Sequence, residues 1–169
     1  MTENFQKEFI DNCIYRLQEN LSKIQKTVNL IDENLLWQRP NENSLSIGNQ
    51  LLHLRGNIEQ YGISSLGNQP DHRERDLEFE TKEGFEKEYL LQKLEETILK
   101  TIEICKSTSL EELERVRMVQ GYRFSGIGVL IHVVEHLSYH TGQIIFYTKA
   151  LTDQQMGFYD AVNLNIKNE

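Results

Sequence analysis

The sequence predicts an all-α fold, a four-helix bundle, on three observations. Apolar residues recur at steps of three and four over long stretches. Proline occurs only twice, as Pro40 and Pro70, each time in a polar link between such stretches. The last long stretch is apolar nearly all round, as a helix central to a bundle should be.

The first helix follows from Phe5, Phe9, Cys13, Leu17, Leu21, Ile24, Val28 and Ile31, which share one helical face. Pro40 and the polar run 41–44 close the connection after it. Ser44 or Ser46 then caps a second helix running to about Ser65, with Ile47, Leu51, Leu54, Ile58 and Tyr61 inward. Residues 66–83, with Pro70 and the charged cluster 71–80, read as a long loop, of the kind that often carries function. A third helix is expected from about Gly84 to Lys106, with Tyr89, Leu90, Leu94, Ile98, Ile102 and Cys105 on its inner face.

Ser109 and Glu112 have the spacing of a capping box for one short turn. Residues 116–124, around Gly121, read as either a short hairpin or an irregular excursion. The fourth helix begins after Ser125 and runs to about Leu151, and Phe158 and Tyr159 of the tail are expected against the core. At 169 residues the whole chain, 1–169, fits one domain with a real hydrophobic core.

The charge narrows the classes of partner. Eighteen basic against 26 acidic residues give a net charge of −8, and the basic residues are scattered. Binding a phosphate backbone needs a clustered cationic surface, so no nucleic-acid partner is expected. The longest apolar run, 127–134, is interrupted by Gly128 and His132 and is too short for a bilayer, so no membrane partner is expected either. No apolar run follows Glu3, Lys7 and Glu8, so no signal peptide is read and the expected location is cytoplasmic. Cys13 and Cys105 fall on apolar stripes, which predicts two buried thiols rather than a disulfide.

The histidines carry the chemistry. His132, His136 and His140 lie at successive steps of four on the fourth helix. Neighbours in that series share a face, and an i, i+4 pair of imidazoles can converge on one metal ion. All three cannot do so easily, because the outer two are separated by ~12 Å along the helix axis. Either adjacent pair therefore qualifies. A third ligand is at hand in His53, set among Leu51, Leu52 and Leu54 in the middle of the second helix. Alone on an apolar face, such a histidine reads as a hydrogen-bonded core residue; with a second histidine pair on another helix it reads as one arm of a metal site. The run 132–136 also matches the H-x-x-E-H pattern of inverted zinc proteases, with Glu135 as base, but nothing else in the chain supports a protease.

Four motifs add a resemblance. The stretch from His136 through His140 to Gln143 is similar to the H-x-x-x-H-x-G-Q signature of the DinB-like superfamily (the DinB/YfiT bundles). Trp37 and Pro40 ahead of a helix with a central histidine, the run 46–57 and the run 73–79 resemble the same superfamily, in an uncharacterised branch. The resemblance covers nearly the whole chain. It implies a bundle of up-down-down-up topology, one divalent metal ion (zinc, nickel, iron or manganese) on His53, His136 and His140, and a homodimer. It also implies a metal-dependent transferase or isomerase using a low-molecular-weight thiol such as bacillithiol or glutathione. One departure is Thr141, where the superfamily often carries arginine two residues before the glutamine.

The expected activity is thiol transfer to a small-molecule electrophile, because a thiol held at such an ion loses its proton near neutral pH. The alternatives are metal-assisted hydrolysis, with Glu135 or Glu59 as base, and a non-catalytic stress-response module with a structural metal. Around the ligands, Asn57 lies one turn beyond His53 and either bonds a ligand or the backbone of a neighbouring helix. Gln143 either orients His140 or makes an interhelical hydrogen bond. Arg73 and Arg75 either cover the opening and hold a substrate carboxylate or pair with Asp76 and Glu78.

Overall fold

The computed structural model describes residues 3–168, so residues 1, 2 and 169 of the expected 1–169 domain lie outside the described residues. Four long helices form the bundle: α1 (Glu3–Val28), α2 (Ile47–Ile58), α4 (Lys87–Ser107) and α6 (Gly126–Thr152). Two short helices, α3 (Arg75–Glu80) and α5 (Leu110–Glu114), and a hairpin of β1 (Val116–Val119) and β2 (Tyr122–Ser125) fill the links.

The α1 stripe behaves as its spacing predicts from Cys13 to Ile31, all buried, while Phe9 is half-buried and Phe5 at its start is 54% exposed. Ser46, not Ser44, caps α2. Its hydroxyl accepts from the Asn49 amide at 3.1 Å, and the Asn49 side chain accepts from the Ser46 amide at 3.4 Å. Past Ile58 the helix continues as π-helical turns, Glu59–Leu66, which periodicity did not foresee. The wider turn delays the repeat, so that Tyr61, Ile63 and Leu66 all reach the core.

The expected long loop over 66–83 is corrected by α3. A six-residue helix has too few internal hydrogen bonds to stand alone. This one is held from outside. Asn49 Nδ2 donates to the carbonyls of Glu78 (3.0 Å) and Thr81 (2.7 Å), and Arg39 donates to that of Phe79 (2.8 Å). In α4 the inner face runs through Leu90, Leu94, Ile98, Ile102 and Cys105, but Tyr89 is 45% exposed and stacks on Phe85 instead.

Ser109 caps α5 by accepting from the Glu112 amide, while the Glu112 side chain turns to Arg115 rather than back to the cap. The 116–124 segment is a hairpin. Val119 pairs with Tyr122 across Gln120 and Gly121, whose φ values of 51° and 78° make the two-residue turn that suits strand twist. Ser125 then caps α6. That helix is less enclosed than its composition suggests, since Ile131 and Phe146 lie 51% and 76% exposed.

Cross-contacts fix the helix directions. Gln6 bonds the Thr108 carbonyl at one end of the bundle and Lys87 the Ile31 carbonyl at the other, so α1 and α4 are antiparallel. Gly62 faces Thr101 and Gly67 faces Ile104, so α2 runs parallel to α4. Contacts from Gln50–His140 to Asn57–His132 make α2 and α6 antiparallel. The result is up-down-down-up. Both α1 and α2 pack on α4 and α6, so α1 lies diagonally across from α2 and α4 diagonally across from α6. The tail docks on α1, with Lys23 bonded to the Tyr159 hydroxyl and Lys26 over the Phe158 ring, and its Met156 is buried. Cys13 and Cys105 are both free and buried, and burial pushes their thiols up to about 11 and about 12. Among the described residues, no helix is long and apolar enough to cross a membrane.

Candidate metal centre

Because α2 and α6 run antiparallel side by side, residues at steps of three and four on each line up as rungs of one ladder. Gln50, His53 and Asn57 on α2, then Tyr61 in the π-helical turns, run along one side while His140, His136 and His132 line up opposite on α6. The central rungs bring together His53, His136 and His140, with one potential ligand atom from each lying within 4.8 Å of the others. His53 and His140 are each 7% exposed, and His136 is half-buried.

Two of the three rings have their lone pair directed by a neighbour. Glu78 accepts from His53 Nδ1 at 2.9 Å, so the lone pair of that ring is on Nε2. Gln50 Oε1 accepts from His140 Nδ1 at 3.4 Å, leaving Nε2 of His140 as its lone-pair atom. Nε2 of His136 sits 3.1 Å from Nε2 of His53. Two bare lone pairs at that distance repel, so only a shared proton or a shared cation reconciles them. The spacing is close to the ~3.4 Å between two nitrogens bound at ~2.1 Å to a tetrahedral ion. The Nδ1 of His136 is buried with no hydrogen-bond partner, an orphan that the fold tolerates at this one ring.

Burial keeps two of the imidazoles neutral. Burial, then the neighbouring His140 and His53, push His136 down to about 3. Burial and His53 push His140 down to about 4, opposed in part by a side-chain hydrogen bond with Gln143. Neutral imidazole is the ligating form, and donors of this type and number suit a divalent transition ion with positions left open. The residues present therefore fit the group that the sequence implied.

Glu78 is the functional residue that sequence reasoning took only as an ion-pair partner. Burial pushes its carboxyl up, but hydrogen bonds from Arg73 and His53 outweigh that and hold it below the usual range. Arg73 grips it with both arms of the fork, Nε to Oε1 at 2.7 Å and Nη2 to Oε2 at 2.8 Å. Gly56 makes this possible, for a Cβ there would collide with the Glu78 carboxylate. The available signal was the pairing of an acidic residue with Arg73 in a stretch that also carries a glycine partner on α2. Gln50 was missed as well, although it lies three residues before His53 on the same face.

The remaining candidates separate. Asn57 is buried and reaches neither backbone nor the three-histidine group: its Nδ2 is 3.2 Å from His132 Nε2, and its Oδ1 has no partner. His132 stacks on Tyr61 with ring centroids 4.0 Å apart and is outside the convergent group. Gln143 reaches His140. Arg73 is consumed by Glu78 and Gln60. Arg75 lies over the Phe79 ring, 4.5 Å from its centroid, and makes no ion pair with Asp76 among the described residues. Glu59 pairs with Arg55, and Glu135 is exposed on the far side of its helix turn.

Comparison with known proteins agrees with this architecture. A family model described as a protein of unknown function (DUF1572) matches residues 4–161. No curated protein matches the chain in sequence. In fold the chain is similar to a DinB-like protein, YjoA, from Bacillus subtilis, at 17% identity and TM-score 0.67 over 88% of this chain and 96% of that one. It is similar to YfiT from Bacillus subtilis, described as a probable metal-dependent hydrolase with an unusual four-helix bundle topology, at 13% identity and TM-score 0.70 over 92% and 91% of the two chains. A mutant of the mycothiol-dependent maleylpyruvate isomerase gives 12% identity and TM-score 0.60, over 83% of this chain and 68% of that one. Likeness at these identities speaks for the fold.

Proposed function

Since the chain belongs to the DUF1572 family, with the fold of the DinB-like bundles, we propose that it is a metal-dependent enzyme joining a low-molecular-weight thiol to a small electrophile. His53, His136 and His140 hold one divalent ion. That ion supplies the positive charge that keeps a thiol as its thiolate near neutral pH. In the net reaction a carbon–sulfur bond forms at the electrophile and the thiol proton is released to water. The electron pair displaced from the electrophile stays with its leaving group or adjacent π-system.

The protein's part is positioning. Glu78 fixes His53, Gln50 and Gln143 fix His140, and the Arg73 fork fixes Glu78, so the lone pairs of these two rings are held ready before any ligand arrives. Among the proteins of similar fold, one is described as mycothiol-dependent and another as a probable metal-dependent hydrolase, so the fold by itself does not choose between the two chemistries.

One observation favours the thiol reading. Hydrolysis calls for a base near the ion, and the one carboxylate at the ligands, Glu78, is spent on His53 and Arg73. Glu59 and Glu135, the two bases expected from the sequence, are turned elsewhere. The chain's own thiols cannot serve, being buried and held up at about 11 and about 12. The thiol must therefore come from a cosubstrate.

The test is elemental analysis of the wild type beside His136→Ala, followed by a thiol titration of cobalt-substituted protein. One equivalent of metal lost in the variant, with a thiol-induced change in the cobalt spectrum, supports the proposal. Metal without any thiol response would favour hydrolysis. Absence of metal from both proteins, after incubation with zinc, nickel and manganese, removes the enzyme reading.

A further inference from the structure

Resting on the metal reading above, we propose that Arg75 is a second recognition point: it binds an anionic group, of carboxylate type, on the substrate that reaches the metal centre. Arg73 is closest to the histidines, but both arms of its fork are on Glu78, its Nη1 donates to Gln60, and its side chain is 2% exposed. Three of its five N–H donors are committed, and the rest of the side chain is closed off from solvent. Arg75, two residues on, has an exposed side chain and no carboxylate partner among the described residues, although Glu74 and Asp76 flank it in sequence.

Its position is not that of a loosely solvated arginine. The guanidinium lies 4.5 Å above the Phe79 ring centroid, and the Phe79 ring in turn lies 5.0 Å from the His53 ring. Stacking on an aromatic face fixes the plane of the fork while leaving its N–H edges free, the arrangement that suits two-point capture of a carboxylate. The Phe79 carbonyl is pinned by Arg39, and α3 as a whole by Asn49, so the stack is built on an element that is itself held in place. The platform joins a free cation to the ring of a metal ligand.

Charge balance points the same way. Glu78 and Arg73 cancel one another as an ion pair, and neutral imidazole is the form in which the three histidines would hold an ion. A divalent ion on those rings would keep its full charge, with Arg75 adding one more nearby. The electrophile is accordingly a small molecule that carries a carboxylate a few bonds from its reacting or metal-facing atom.

The experiment uses metal-loaded, cobalt-substituted protein with succinate and acetate as probes, in the wild type, Arg75→Gln and Arg75→Lys. Metal content is measured on each. The expected result is full metal in all three, with succinate perturbing the cobalt spectrum at least about ten-fold more tightly than acetate in the wild type. That advantage should vanish in Arg75→Gln and return only in part in Arg75→Lys, which keeps the charge but not the fork. Equal affinities for the two probes, or a succinate affinity unchanged by Arg75→Gln, overturn the anion site while leaving the metal reading intact. A wild type that takes up no metal overturns both.

Discussion

The α1–α4 and α2–α6 interfaces are built from similar amphipathic helices, yet one is dry and the other is a polar ladder. Between α1 and α4 the buried residues are Ile10, Cys13, Leu17, Ile24, Leu94, Ile98, Ile102 and Cys105, with the thiols acting as small apolar groups. Between α2 and α6 the buried set includes Gln50, His53, Asn57 and His140, whose polar atoms meet one another across the seam. Burying polar groups costs free energy unless they are paired, and here two atoms, Asn57 Oδ1 and His136 Nδ1, stay unpaired. The dry interface carries the stability; the seam gives some of it up to hold a reactive geometry.

That division predicts opposite responses to truncation. Leu17→Ala, at a position with no exposure, should lower unfolding stability by about 2–5 kcal/mol while the folded fraction still binds one equivalent of metal. His53→Ala should do the reverse, abolishing metal uptake with a smaller loss of stability in the metal-free protein. Denaturant melts paired with metal analysis check both. A large loss of metal binding in Leu17→Ala with stability unchanged would break the comparison.

The same contrast explains what was legible in the sequence. A dry helix face writes itself as a period, so α1, α4 and α6 stood within a few residues of their final bounds. His53 and the His136–His140 spacing were legible because polar side chains interrupt an apolar face at helical steps. Glu78 and α3 were not, since a six-residue helix held by Asn49 and Arg39 leaves no period, and its role depends on which groups the fold brings to it. The π-helical turns after Ile58 were hidden for a related reason: a widened turn breaks the repeat by which helices are read. Arg73 and Arg75 are alike in sequence, and only tertiary contacts separate the one that is spent from the one that is free.

The seam should also respond to pH where the dry interface does not. His136 and His140 are lowered from 6.5 to about 3 and about 4 in the folded protein. Between those values and 6.5 the unfolded chain binds the more protons, so protonation favours unfolding. Their contribution to stability is complete above pH 6.5 and is lost as pH falls through that window. Glu78, lowered from 4.5, acts in the same direction but only below about pH 4.5. Thermal melts of metal-free protein should therefore show Tm falling already between pH 6.5 and 5, and His136→Gln should flatten that segment. A flat profile in the wild type over that range would count against buried neutral histidines.

Glu78→Gln sharpens the comparison within the seam. It keeps the shape but removes the charge that holds the His53 tautomer and balances Arg73. A loss of about 10–100-fold in metal affinity is expected, the usual range for such a partner. Isothermal titration with zinc checks it, and an unchanged affinity would reduce Glu78 to a partner of Arg73 alone.

Two glycines give the smallest and most discriminating pair. Gly56 on α2 faces the Glu78 carboxylate and Arg73, so Gly56→Ala must push Glu78 off His53 and should weaken metal binding in the same direction as Glu78→Gln. Gly142 on α6 is only two residues from His140, yet a Cβ there meets nothing within 4 Å. In a helix interior with open space, alanine is preferred over glycine by about 0.5–1 kcal/mol, so Gly142→Ala should raise stability by that amount and leave metal affinity alone. The closer glycine in sequence is then the silent one, because what matters is the face it occupies. If Gly142→Ala instead weakened metal binding as Gly56→Ala does, the outer face of α6 would have to be part of the site, and the seam would be wider than the ladder of α2 and α6.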